Sequence, residues 1–137
     1  MFSETAATAC DGMSFTLDEI TGAIVDESLR IHRDLGPGLL ESVYEACLCV
    51  ELRKRGIRYK SQAPIPLVYE GVAIEAGLRL DLLVEGSIVL EVKSVERLLP
   101  VHQSQLLTYL KLADLHLGLL INFNVRHLRD GIRRRKL

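Results

Sequence analysis

The stretch from Leu80 to Lys93 sets Asp81, Glu91 and Lys93 into a run that is otherwise mostly apolar. Alternation puts Glu91 and Lys93 on one face of a strand, with Leu90 and Val92 on the other. A turn at Glu85-Gly86 folds the run into a hairpin and brings Asp81 beside Glu91. Two neighbouring carboxylates repel unless something positive lies between them. A Mg2+-type ion meets that need, because it favours carboxylate and water oxygens over nitrogen or sulfur. Lys93 then has two chemical uses: holding or polarising a water, or neutralising charge on a phosphate. Spacing alone describes equally well a salt-bridged hairpin whose charged side faces solvent.

The elements around this hairpin carry further polar residues at shared-face spacings. Thr16-Leu17-Asp18-Glu19 reads as a capping box opening a first helix, with Leu17, Ile20, Ile24 and Ile31 on its apolar face. Gly36-Pro37-Gly38 ends that helix. A second helix is expected from about Pro37 or Gly38, with a buried stripe of Leu40, Val43, Tyr44, Cys47, Leu48 and Leu52 and a stop at Gly56. It places Gly38, Glu41 and Tyr44 on one face, Tyr44 serving packing as readily as function. Strands are expected at about Arg58–Ser61, Ile65–Tyr69, Val72–Glu75, Leu78–Val84 and Ser87–Val92. Pro100 opens a third helix to about Ala113, on which Gln105 and Tyr109 lie one turn apart. Leu115–Phe123 has the length of a buried strand, and a strongly basic end follows from Arg126 to Leu137. The order predicts an α+β sandwich: a mixed β-sheet flanked by helices.

Composition narrows the function classes. At 137 residues the chain is one domain, with residues 1–15 expected as a flexible lead and 16–137 as the folded unit. Its 17 Lys+Arg against 18 Asp+Glu exclude a uniformly basic coat protein and an acidic disordered tail. No apolar run has the length of a membrane span, and the start lacks the regions of a signal peptide. Cys10, Cys47 and Cys49 fit neither a disulfide framework nor a metal knuckle, and read as reduced thiols of a cytoplasmic protein. His32, His102, His116 and His127 are dispersed without a zinc-binding pair. Only His102, one turn before Gln105, is placed near the active face, as a possible contact to substrate or phosphate.

Gly38-Leu39-Leu40-Glu41-Ser42-Val43-Tyr44 resembles the signature of the GxxExxY proteins, a small bacterial and archaeal family. These are similar to the PD-(D/E)XK nucleases, whose core is restriction-endonuclease-like. Asp81 with Glu91-Val92-Lys93 resembles that superfamily's Asp…Glu-x-Lys set, and Gln105-Leu106-Leu107-Thr108-Tyr109 its Gln-x-x-x-Tyr element. The likeness runs from about Leu17 to Arg135, with Leu80 where a Pro often precedes the core Asp. It implies a nuclease that hydrolyses phosphodiester bonds in DNA or RNA with Mg2+ or Mn2+. Asp81, Glu91 and the Val92 carbonyl would be metal ligands, with Glu41 holding a second ion or a water. Lys93 would orient the nucleophile, and Gln105 and Tyr109 would position Lys93 or a phosphate. Arg126, Arg129, Arg133, Arg134, Arg135 and Lys136 would contact nucleic-acid phosphates, or serve simply as solvated charge. The alternative is a nuclease-fold adaptor without turnover; a homo-oligomer is open in both readings.

Overall fold

A computed structural model describes residues 14–137. Cys10 and most of the segment expected to be flexible lie outside the described residues. Helix α1 spans Leu17–Leu35, and its capping box is formed: the Thr16 hydroxyl accepts from the Glu19 amide at 3.1 Å, and the Glu19 carboxylate accepts from the Thr16 amide at 2.9 Å. The helix ends at Gly36, whose φ of +76° suits a residue without a Cβ. Helix α2 spans Glu41–Lys54, so it starts three to four residues later than the sequence suggests. The cause is Gly38, whose φ of +100° is incompatible with a helix, followed by an extended Leu40. Arg55, past the end of α2, donates to the buried Glu27 carboxylate at 2.7 Å and pins the two helices together.

Strand β1 covers Tyr59–Pro64; β2 (Val68–Tyr69) and β3 (Val72–Ala73) make a separate short hairpin. Strands β4 (Arg79–Val84) and β5 (Ile88–Lys93) are joined by Glu85-Gly86-Ser87, in which Glu85 and Gly86 take positive φ and the Ser87 amide donates to the Val84 carbonyl at 3.0 Å. Helix α3 covers Pro100–Ala113, as the sequence indicates, and β6 covers Leu117–Asn122. After a single 3-10 turn at Leu128–Gly131 the basic end becomes a strand, β7 (Ile132–Lys136). The main sheet runs β1-β4-β5-β6-β7, with β5 and β6 parallel and the other neighbours antiparallel.

Two layers of helix cover this mixed sheet. Ile20 and Ile24 of α1 and Tyr44, Leu48 and Leu52 of α2 pack with Leu82, Leu90, Val92 and Leu119. On the opposite face Leu106 and Leu110 of α3 pack with Leu83, Val89 and Leu120. Gly118 lets α3 come close: a Cβ there would stand 2.8 Å from a Leu106 methyl. The architecture is the α+β, restriction-endonuclease-like arrangement the sequence implied. Among the described residues no helix is long and apolar enough to cross a membrane.

Candidate active site

The β4–β5 ladder runs from Val84↔Ile88 to Leu82↔Leu90. One residue further, side chains take over from backbone carbonyls. The Asp81 amide donates to Glu91 Oε2 at 3.0 Å, and the Val92 amide donates to Asp81 Oδ2 at 2.8 Å. Each carboxylate is thus clamped through one oxygen by a backbone amide across the strand pair. Glu91 is 4% exposed. Burial, then the adjacent Asp81 charge, push its carboxyl up to about 8. Burial also raises Asp81, with a further contribution from the Glu45 charge, against the Val92 amide that favours its ionised form. Burial and mutual repulsion thus lead the pair to hold a proton more readily than free carboxyls do.

Lys93 follows on the same strand. Its Nζ donates to Gln105 Oε1 at 3.0 Å, and Gln105 Nε2 donates to the Tyr109 hydroxyl at 3.2 Å. The α3 face that carries Gln105 and Tyr109 therefore holds the ammonium in place. Lys93 forms no ion pair among the described residues, yet its charge favours ionisation of both carboxylates. Burial and the Glu91 charge raise the Tyr109 phenol, which ties that ring electrically to the same cleft.

Glu41, the first residue of α2, accepts from the Ser94 amide at 3.2 Å, while Ser94 Oγ donates to the Leu39 carbonyl at 2.6 Å. It reaches the residue after Lys93 rather than bonding to Asp81 or Glu91. The Gly38 and Tyr44 positions have a local reason. Tyr44 is fully buried, stacks on Phe123 with ring centroids 4.4 Å apart, donates to the Gly36 carbonyl at 2.6 Å and accepts from the Leu39 amide at 3.1 Å. It closes the turn from which Glu41 projects.

Sequence reasoning missed Glu45 and Gln62. Gln62 Nε2 donates to both Glu45 oxygens at 3.0 and 3.1 Å and stands 3.5 Å from Asp81 Oδ1; Ser61 Oγ donates to Glu45 at 2.8 Å. Glu45 lies one turn after Glu41, a spacing that would have shown it. Gln62 sits in β1 at φ +54°, a left-handed conformation with no sequence signal for Gln.

His102 accepts from the Leu99 amide through Nδ1 at 2.9 Å and caps α3. Arg126 and Arg129 stand in the segment after β6, and Arg133 to Lys136 lie on β7, two places from β5 in the sheet. None of these cations bonds to Asp81, Glu91 or Lys93 among the described residues.

A profile of the PD-(D/E)XK nuclease superfamily matches residues 18–135. The chain belongs to the PD-(D/E)XK nuclease superfamily. Comparison with curated proteins and with solved structures gives no match. The match spans every PD-(D/E)XK position expected from the sequence, from Glu41 through Tyr109, and the narrower likeness to GxxExxY proteins rests on the Gly38–Tyr44 motif. Nucleases of the PD-(D/E)XK superfamily work with divalent metal ions. Among the described residues no three His, Cys, Asp or Glu side chains form a complete ligand set. The donors present are all oxygen, and the Asp81–Glu91 pair carries a raised proton affinity that a cation would relieve. This fits a hard ion that draws its other ligands from backbone, water and substrate, as Mg2+ does.

Proposed function

We propose that the protein is a Mg2+- or Mn2+-dependent nuclease that hydrolyses phosphodiester bonds in nucleic acid. The observation that carries this reading is the clamped Asp81–Glu91 pair with the Lys93 ammonium fixed by Gln105 on the same strand. Asp81, Glu91 and the Val92 carbonyl would hold the ion, which when bound lowers the pKa of its water and offsets charge on the phosphodiester. Lys93 donates to the attacking water and orients it. Gln105, steadied by the Tyr109 hydroxyl, keeps that ammonium from swinging onto the carboxylates. Glu41 holds the Ser94 amide, and so fixes the backbone immediately beyond Lys93.

Purified protein with Mg2+ or Mn2+ is expected to cleave DNA or RNA. Asp81→Asn keeps the shape but removes the charge that holds the ion, and should abolish cleavage. Lys93→Ala should leave metal binding intact or tighter while lowering turnover about 100- to 1,000-fold, the usual cost of one transition-state contact. Cleavage unaffected by Asp81→Asn would overturn the assignment. The two amide clamps favour a second reading, in which the carboxylates serve as strand fasteners of a non-catalytic binding module. The nuclease reading expects metal-induced stabilisation of about 2.7 kcal/mol at 100 times the dissociation constant; no stabilisation by Mg2+ or Mn2+, together with no cleavage of single- or double-stranded DNA or RNA, would select the fasteners.

A further inference from the structure

We propose that the cavity between the C-terminal half of α1 and the loop after β6 binds a nucleic-acid backbone phosphate flanking the one held at the carboxylate pair. The inference rests on the nuclease reading above and adds a second contact point for the same substrate. The cavity measures about 590 Å3 and is lined by His32, Arg33, Arg126, His127, Arg129 and Asp130, among others. That volume accommodates a phosphodiester with its sugar.

Its charges are unspent. The Arg126 and Arg129 guanidinium groups and the His127 imidazole have no hydrogen-bond or ion-pair partner among the described residues. Arg33 pairs only with its exposed neighbour Asp34, at 3.1 Å. Arg33 also has a helix-terminal reason for its place, since the C-terminal end of α1 favours a cation. Arg126, outside any helix, has none. Free surface arginines are ordinarily just solvated, but these hang from a fixed frame. His32 Nε2 bonds to the Val125 carbonyl at 2.7 Å, Leu128 is buried, and Gly131 packs so close to the Asn122 carbonyl that no side chain fits. The loop is held before any ligand arrives, so little ordering cost remains for binding. A planar guanidinium fork on such a frame matches the oxygens of a phosphate.

The position fits a shared strand. Asn122, which ends β6, lies beside Lys93 in the parallel register, and the Phe123 amide donates to the Lys93 carbonyl at 2.9 Å. The loop that carries Arg126 and Arg129 thus leaves the sheet at the end where the carboxylates stand. A second depression, lined by Leu39, Leu40, Glu41, Ser42 and Ser94, joins the connection after α1 to the residue after Lys93. The loop bearing the α1 cavity and the Ser94 depression thus both follow the paired ends of β5 and β6.

The test uses the full chain in EDTA, so that binding is read without cleavage, with labelled 20-nucleotide single strands and duplexes of DNA and RNA across a range of NaCl. The Arg126→Ala/Arg129→Ala double variant should bind at least ten-fold more weakly at low salt. Its slope of log affinity against log salt should be shallower by about 1–2, since each lost phosphate contact removes about 0.7–0.9. Arg126→Lys/Arg129→Lys should keep most of the slope while losing part of the affinity, which separates charge from loss of fold. Parent-like affinity and slope in the alanine variant, with the parent binding and cleaving, would overturn the cavity assignment alone. A parent that binds no nucleic acid in EDTA and cleaves none with Mg2+ or Mn2+ would overturn the nuclease reading with it. Titration with inorganic phosphate and a nucleoside monophosphate separates the sources: tight saturation by either, with no nucleic-acid dependence on the two arginines, would make the ligand a free anion and overturn the proposal.

Discussion

Tyr44 joins both ends of the α1–α2 connection through one hydroxyl, donating to Gly36 and accepting from Leu39, while its ring stacks on Phe123. Tyr44→Phe keeps the stack and leaves a carbonyl and an amide without their partner. It should lower stability by about 1–2 kcal/mol in urea unfolding. Because Leu39 also accepts from Ser94, the same variant should loosen Glu41 and reduce cleavage more than its stability loss explains. Residues of this kind mark how far the sequence could be read. Strand alternation and the Glu85-Gly86 turn pointed to contact between Asp81 and Glu91, and the two carboxylates do meet across β4 and β5. Glu45 went unread although it shares a helical face with Glu41. Gln62 was unreadable, because nothing in its type or neighbours announces a left-handed residue inside a strand. Glu41 bonds to the Ser94 amide, a contact across 53 positions that no local pattern encodes.

Helix α3 is the element on which the site's ammonium depends, and its approach to the sheet is set by Gly118 of β6. Gly118→Val forces Leu106 outward and moves Gln105, its neighbour in sequence, away from Lys93. Overpacking of this kind costs about 1–3 kcal/mol. The variant should fold with reduced stability in denaturant titrations and show a turnover defect resembling Gln105→Ala, with metal affinity nearly unchanged. Element boundaries were legible where a strong local signal existed. Pro100 fixed the start of α3, and Thr16-x-x-Glu19 fixed the start of α1. The start of α2 was misplaced because Gly38 adopts positive φ, which a glycine permits but does not declare. Strand β7 was hidden because four consecutive cations, Arg133 to Lys136, erase the alternation by which a half-buried strand is recognised.

For the molecule as a whole, the buried acid pair links stability to pH. Glu91 titrates near 8 in the folded state, against about 4.5 for an ordinary glutamate. Between those values the folded protein retains a proton that the unfolded chain has released. Stability should therefore fall as pH rises through this window, by at most about 1.4 kcal/mol per pH unit for one proton, and level off above about 8. Asp81 is shifted in the same direction and adds to the trend. Urea unfolding at pH 5, 6.5 and 8 in chelated buffer checks it, and Glu91→Gln should flatten the dependence. A divalent ion replaces the proton, so added Mg2+ should stabilise most at the alkaline end. The overall class, helices on both faces of a mixed sheet, was legible from element order alone, because only the alternation of helix and strand was needed to place two layers over one sheet.

Among the described residues the sheet has two open margins, β1 and β7. An unpaired strand edge is a template on which another chain can add a strand. Along β7 every position from Arg133 to Lys136 is cationic, so a second copy laid alongside would stack like charges against one another. On β1 the left-handed Gln62 bends the margin and Pro64 removes a donor. Both borders therefore disfavour strand addition. The arginine-rich run, whatever phosphates it meets, thus also sets a charge barrier against fusion of neighbouring sheets into fibres.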